Sequence, residues 1–200
     1  MDFLYPFLIA FILVSISELG DKTQLLVLSF STKKKASTIL FGVALGSFFS
    51  HGIAILFGSQ LGSLENPTLH HILQLITYLS FIFFGIVTFL SKPEKEEDNL
   101  SVLHRLTSSN LHYIFIIATS IAIGELGDKT FLASIGLGIG YPHYKFSLIL
   151  GAIMGMVVSD SIAIILGKFL KKKISEKAMQ RLSGIIFLLF GILGLFNIFT

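Results

Sequence analysis

Long apolar runs separated by short polar connections dominate the chain, and each run is long enough to cross a bilayer as a helix. A hydrocarbon core of about 30 Å requires roughly 20 mainly apolar residues at about 1.5 Å per residue. The pattern predicts six spans, at residues 5–30, 37–61, 69–90, 111–137, 146–170 and 177–199. The predicted fold class is therefore all-α, a polytopic membrane protein with six transmembrane helices.

The two halves of the chain repeat one another. Residues 1–91 form the first proposed three-helix repeat, 92–110 a charged linker, and 111–200 the second repeat. Small residues of the second span recur at the same spacing in the fifth, as Gly42, Gly46, Ser50 and Gly58 and then Gly151, Gly155, Ser159 and Gly167. Because each repeat has an odd number of spans, the second must cross the membrane in the opposite sense, as in the inverted repeats of many secondary transporters.

Charge predicts the orientation. Of the 15 lysines and arginines, two lie in apolar runs, twelve lie at the connections after the first, third and fifth spans, and Lys145 lies on the opposite face. The positive-inside rule places those three connections in the cytoplasm, including the linker 92–110, and both termini outside. The net charge of +3 follows from these anchoring residues, so the lipid bilayer is the expected partner and nucleic acid is not.

Composition excludes several classes. Hydrophobic residues make up 53% of the chain and charged residues 14%, which leaves no sizeable soluble domain. Cysteine is absent, so disulfides, thiolate metal sites and thiol catalysis are excluded. Any metal must be held by oxygen or imidazole nitrogen.

The most informative polar feature is an acidic motif that occurs twice inside apolar runs. The sequence Glu-Leu-Gly-Asp-Lys-Thr occupies residues 18–23 and again 125–130. Each intramembrane carboxylate costs about 2.5–3.5 kcal/mol to insert, and such residues are functional by default. Helical spacing would place Glu18 with Asp21, and Glu125 with Asp128, on shared faces. The repeat then predicts a four-carboxylate site near the midplane for calcium, magnesium or manganese.

Other residues of the motifs are candidates around that site. Gly20 and Gly127 permit close helix approach or a local break, and Thr23 and Thr130 reach the site only if the helices bend there. The amide oxygen of Gln24 is a further candidate ligand, without an equivalent at Phe131.

Lys22 and Lys129 allow a structural role for the motif acids as an alternative to metal binding. Each lies four residues after a glutamate and could form an intrahelical ion pair with it. Two lysines cannot neutralise four acids, however, so we expect the lysines to tune or latch the carboxylates.

A second set of polar positions matches across the repeat. His51 in the second span corresponds to Asp160 in the fifth, and each follows a serine, Ser50 or Ser159. Imidazole and a buried carboxyl group are both plausible proton carriers. The alternative for His51 is a hydrogen-bonded core histidine, and both readings stay open.

The doubled motif, the six spans and the charged linker together resemble uncharacterised protein family sixteen, the GDT-type cation exchangers. That resemblance covers essentially the whole chain and implies manganese and calcium transport, mostly in exchange for protons. It implies the first motif's roles for Glu18, Gly20, Asp21, Lys22 and Thr23. It implies the second motif's roles for Glu125, Gly127, Asp128, Lys129 and Thr130. Leu126 and Phe131 depart from the aromatic and polar residues that many members carry there.

The expected function is export of a divalent cation, with manganese ahead of calcium, in exchange for protons. Carboxylates that bind metal release protons, and rocking of the repeats would expose the site to each side in turn. The alternatives are a cation channel, a membrane scaffold or assembly factor, and an intramembrane enzyme. The enzyme ranks last because no nucleophile arrangement or cofactor motif is found, so no cofactor is expected. The expected location is a bacterial inner membrane, and a homodimer stays open.

Overall fold

The computed structural model describes residues 3–19, 21–31, 34–64, 66–90, 110–170 and 176–199. These residues form helices and contain no β-strand, which agrees with the all-α prediction. The linker 92–110 lies outside the described residues except for its last residue, as does Gly20, and so does the side chain of Lys22.

The α-helices follow the predicted spans, with interruptions in the first, second and fourth. In chain order they are α1 (Leu4–Ser17), α2 (Lys22–Ser31), α3 (Ala36–Ser47), α4 (Ile53–Gly62), α5 (Pro67–Leu90), α6 (Asn110–Glu125), α7 (Lys129–Gly140), α8 (Lys145–Leu170) and α9 (Glu176–Phe199). A π-helical turn, Phe48–Gly52, joins α3 to α4, and a 3₁₀ turn, Pro142–Tyr144, precedes α8.

Three helical segments of the described chain are long and apolar enough to cross a membrane. They are Ala36–Gly62, Pro67–Leu90 and Pro142–Ile165. The pair α6 and α7 makes a fourth if it is counted as one span, although the two helices are bent by 79°. The shorter apolar helices Leu4–Ser17 and Arg181–Phe196 lie in the predicted first and sixth spans. Within the predicted spans 5–30 and 111–137, the α-helices are interrupted inside the acidic motif, which is one of the two possibilities that the sequence left open.

The main helix pairs recur when the two halves are exchanged. α1 packs mainly on α8, and its counterpart α6 packs on α3, the counterpart of the first part of α8. α5 and α9, which correspond to each other, pack together. This pairing places the two motif breaks, at the ends of α1 and α6, in the middle of the assembly.

Glycines permit the close approach of these helices. A Cβ atom at Gly46 of α3 would lie 2.7 Å from the Ala118 carbonyl oxygen in α6, and one at Gly155 of α8 would lie 2.8 Å from the Phe11 carbonyl oxygen in α1. Those distances are shorter than van der Waals contact, so only glycine fits at either position without movement. The glycines that recur in the second and fifth spans therefore serve tight helix packing.

Candidate cation site

Each acidic motif interrupts its helix with the same hydrogen-bonded turn. The amide of Asp21 donates to the Glu18 carbonyl oxygen at 3.2 Å, and the amide of Asp128 donates to the Glu125 carbonyl oxygen at 3.1 Å. In both motifs the glutamate follows or ends one helix, and the aspartate directly precedes the next. The positive end of a helix dipole therefore lies beside each aspartate.

Gly127 explains how the second motif turns so sharply. Its φ angle is +82°, a left-handed conformation that glycine adopts without the steric penalty of a side chain. The sequence predicted a local break at this glycine as one of two possible roles, and the structure shows that break. The equivalent role of Gly20 stays a prediction, because that residue lies outside the described part of the chain.

The break brings the four motif acids together. Carboxylate oxygens of Glu18, Asp21 and Asp128 lie within 4.8 Å of one another, and a Glu18 oxygen lies equally close to Glu125 and His51. These are two groups of potential metal ligands, and Glu18 belongs to both. Glu18 is 0% exposed, and Glu125 is 2% exposed. The two aspartates are partly exposed. The arrangement is therefore two buried glutamates with two aspartates nearer the solvent.

The two acids of each motif are neighbours, as predicted, but they do not share one face of a continuous helix. Residues 18 and 21 do not share the face of one helix, because α1 ends at Ser17 and α2 begins at Lys22. A non-helical turn and the packing of the two breaks bring the carboxylates together instead.

The hydroxyl groups of Thr23 and Thr130 lie beside the glutamates of their own motifs. The sequence predicted this arrangement only for helices that bend within the motif. The Thr23 hydroxyl lies 3.4 Å from Glu18 Oε2, and the Thr130 hydroxyl lies 3.2 Å from Glu125 Oε2. The Thr130 hydroxyl is also 3.3 Å from Asp128 Oδ2. The threonines thus belong to the surroundings of the acids, and direct ligation by their oxygens stays a prediction.

Lys129 pairs across the two motifs. Its Nζ lies 2.8 Å from Asp21 Oδ2, with the side chains 20% and 17% exposed. The intrahelical pair with Glu125 that sequence spacing allowed is not the one observed, because Lys129 begins α7 after the bend and no longer follows Glu125 on one helix. The corresponding contact of Lys22 lies outside the described residues.

Gln24 contacts α8 through its amide nitrogen. Its Nε2 donates to the Ser159 carbonyl oxygen at 3.1 Å and to the Ser159 hydroxyl at 2.8 Å. Ser50 donates to carbonyl oxygens of its own helix, Gly46 at 3.2 Å and Ser47 at 3.4 Å. These hydrogen bonds join α2 to α8 and hold Ser50 to its own helix, and ligation by the Gln24 amide oxygen stays a prediction.

His51 lies at the acid cluster on the π-helical turn. Its Nδ1 is 2.9 Å from the Ser134 hydroxyl, and its Nε2 is 3.9 Å from Glu125 Oε2. Ser134 was not a sequence candidate. The sequence feature that could have identified it is its position four residues after Thr130, one turn further along the same face of α7.

Asp160 lies in the middle of α8 and belongs to neither candidate metal group. It is 0% exposed, and both carboxylate oxygens lack a hydrogen-bond partner among the described residues. No described cation forms an ion pair with it. Asp160 and His51 form no hydrogen bond or ion pair with each other, although their sequence positions correspond in the repeat.

Comparison with known proteins adds a family to this geometry. The family profile described as "Divalent cation/proton antiporter GDT1" matches residues 6–96 and 113–200. The chain is 26% identical over 216 residues to "GDT1-like protein 2, chloroplastic" of Oryza sativa subsp. japonica, and the match covers 96% of this chain and 61% of the relative. It is 25% identical over 219 residues to "Protein PAM71, chloroplastic" of Arabidopsis thaliana, with coverage of 96% and 56%.

A bacterial relative is covered more completely. The chain is 24% identical over 177 residues to the "Putative manganese exporter" of Vibrio cholerae, with 88% of this chain and 83% of the relative covered. It spans about three fifths of the length of the two plant relatives. No solved structure matches. The family profile covers both halves with their motifs, and the chain therefore belongs to the GDT1 family of divalent cation/proton antiporters, which are membrane transporters rather than enzymes.

Proposed function

We propose that this chain exports a divalent cation from the cytoplasm in exchange for protons, with manganese as the first candidate and calcium as the second. The observation that carries the proposal is the convergence of four motif carboxylates around Glu18, two of them buried. Oxygen donors of this kind suit hard divalent cations. The "Putative manganese exporter" relative supports manganese as the first cation to test.

Charge balance links the cation to protons. Four carboxylates lie close together, and Lys129 supplies one positive charge through Asp21. Like charges at these distances repel, so the remaining negative charge favours either bound protons or a bound dication. A dication that enters releases protons, and protons that enter release the dication. Alternate occupancy of one site is the basis of the proposed exchange.

Alternating access is proposed to arise from two inverted three-helix repeats, at residues 1–91 and 111–200. Support comes from the equivalent hydrogen bonds between aspartate amide and glutamate carbonyl in the two motifs and from the main helix pairs, which recur when the halves are exchanged. Broken helices at a central site are a recurring feature of transporters built in this way. The same proposal includes six spans, both termini outside, a cytoplasmic linker and a location in the inner membrane of a bacterium.

Asp160 is proposed as a proton carrier outside the cation site. Its carboxyl group is fully buried, and neither oxygen has a hydrogen-bond partner among the described residues. A charged carboxylate without partners is very costly to bury, whereas the neutral acid is much less so. Asp160 is joined to the motif region through its neighbour Ser159, which accepts the hydrogen bonds of Gln24.

The test is simultaneous measurement of metal and proton flux in proteoliposomes. Mn²⁺ or Ca²⁺ is added outside, and a metal-sensitive dye and a pH-sensitive dye report from the lumen. We expect internal protons to leave as metal enters, and Glu18→Gln or Asp128→Asn to abolish both fluxes. Glu96→Gln, in the linker, is the matched control and should transport at the wild-type rate.

The other outcomes are distinct. Metal entry without proton movement would indicate a cation channel. Wild-type flux in both acid variants would refute the proposed site. Absence of metal flux in the intact protein would refute the proposed substrate and leave a scaffold as the better description.

A further inference from the structure

His51 has one ring nitrogen in a hydrogen bond and the other without a partner. Nδ1 lies 2.9 Å from the Ser134 hydroxyl, within hydrogen-bonding distance. Nε2 is buried and has no hydrogen-bond partner among the described residues, and the side chain is 0% exposed. A buried nitrogen without a hydrogen-bond partner destabilises the folded protein. A bound ion or ligand that pairs with it would remove that cost.

The surroundings of Nε2 favour one tautomer. The nearest carboxylate oxygen across the cluster, Glu125 Oε2, is 3.9 Å away, which is too far for a hydrogen bond. If Nε2 carried the proton, that proton would be buried without an acceptor. If Nδ1 carries it, Nδ1 donates to the Ser134 hydroxyl, and Nε2 presents a lone pair to the acid cluster.

Oxygens of the two buried glutamates lie close to the His51 ring. A ring nitrogen of His51, an oxygen of Glu18 and an oxygen of Glu125 all lie within 4.8 Å of one another, and Nε2 is the nitrogen that lies 3.9 Å from Glu125 Oε2. Glu18 Oε1 is also buried without a hydrogen-bond partner in the described part of the chain. Donor atoms no more than about 5 Å apart can share one ion whose bonds are about 2.0–2.6 Å long. A single cation would therefore pair with the nitrogen and both glutamates.

We propose that His51 is a nitrogen ligand of the transported dication and makes the site prefer a first-row transition metal to calcium. This inference rests on the proposed function and assigns selectivity to one residue of that site. Calcium and magnesium are bound almost entirely by oxygen, whereas transition dications accept imidazole together with carboxylate.

Ser134 and the π-helical turn have supporting roles in this assignment. A hydrogen bond to the far ring nitrogen fixes the tautomer and orientation of a metal-binding histidine, and Ser134 provides that bond. The π-helical turn Phe48–Gly52 sets the direction in which His51 leaves its helix, and such turns are frequent at functional sites. The equivalent of His51 in the other half is Asp160, so the second repeat has no imidazole at that position.

A spectroscopic experiment tests the ligand directly. Mn²⁺ is bound to the purified full chain, and electron spin echo envelope modulation reports ¹⁴N nuclei coordinated to the ion. We expect an imidazole nitrogen signal in the wild type, loss of that signal in His51→Gln, and retention in the control His70→Gln. His70 is a suitable control because its ring bonds the Gly62 carbonyl oxygen at 3.1 Å and belongs to neither candidate metal group.

Transport measurements test the selectivity. In proteoliposomes, His51→Gln should lower the ratio of kcat/KM for Mn²⁺ to that for Ca²⁺ by about tenfold or more, since even outer-shell changes at metal sites have effects of about 10–100-fold. Retained Ca²⁺ flux shows that the variant is folded. Ser134→Ala should shift the same ratio by a smaller factor.

The outcomes separate the inference from the function on which it rests. Manganese/proton exchange without a nitrogen signal in the wild type, or with the signal unchanged in His51→Gln, would overturn the role of His51 and leave the exchanger intact. A wild-type protein that neither binds nor transports Mn²⁺ would overturn both.

Discussion

The ion pair between Lys129 and Asp21 joins the second motif to the first, and we expect its removal to destabilise the protein and to make stability depend on manganese. The two charges are 2.8 Å apart, and about one fifth of each side chain is exposed. Three perturbations isolate the pair: Lys129→Met, Asp21→Asn and the double variant. Methionine keeps the length and apolar stem of lysine without its charge.

The size of the effect follows from the geometry. Two unit charges 2.8 Å apart attract by about 6 kcal/mol at an effective dielectric constant of about 20. Desolvation of the two ions offsets most of that attraction, so we expect a coupling free energy of about 2 kcal/mol. Lys129→Met alone should cost about 3 kcal/mol, since Asp21 then faces the carboxylates of Glu18 and Asp128 without the charge of Lys129.

The assay is a double-mutant cycle on the free energy of unfolding in mixed micelles, repeated with saturating Mn²⁺. A bound dication stabilises the folded state by an amount that increases with its affinity. Because the removed lysine charge repels the dication, Mn²⁺ should stabilise Lys129→Met more than it stabilises the wild type. A coupling energy within about 0.5 kcal/mol of zero would refute the pair's contribution. Equal stabilisation of the variant and the wild type by Mn²⁺ would refute the competition between lysine and cation.

Three further predictions concern backbone and buried groups. Gly127→Ala should cost about 1–2 kcal/mol in unfolding free energy because its φ is +82°, and Gly127→Asn should cost less; equal losses would refute the conformational explanation. Gly46→Ala should destabilise by about 1–3 kcal/mol, whereas Gly124→Ala, whose Cβ would meet its nearest atom at 3.4 Å, should not; similar thermal unfolding of both would contradict the packing argument. Asp160→Asn should retain Mn²⁺ binding by calorimetry but reduce coupled proton flux in proteoliposomes, and unchanged proton coupling would remove Asp160 from the pathway.

Several features were predicted correctly because they depend on local composition. Apolar length predicted the helices that match α5 and α8 within a few residues, since a helix satisfies its own backbone hydrogen bonds in lipid. The doubled acidic motif indicated where charge is concentrated, and Glu18 and Glu125 are buried as expected. The family followed from the same motif, because its spacing and repetition are sequence properties.

Other features required the tertiary structure. The sequence offered both a continuous helix and a break at the motif, and helical periodicity fails at a break, so the faces assigned from it were unreliable. Lys129 pairs with Asp21 rather than Glu125 because a 79° bend separates it from the helix that carries Glu125.

What the sequence determined by itself is which chemical groups the apolar runs contain, among them four motif acids, two motif lysines, His51 and Asp160. The tertiary structure alone decided which of these groups meet. His51 and Ser134 are 83 positions apart along the chain, and Gln24 and Ser159 are 135 apart. Contacts between distant positions depend on how helices pack and where they bend, and those are properties of the whole assembly that local sequence patterns do not encode.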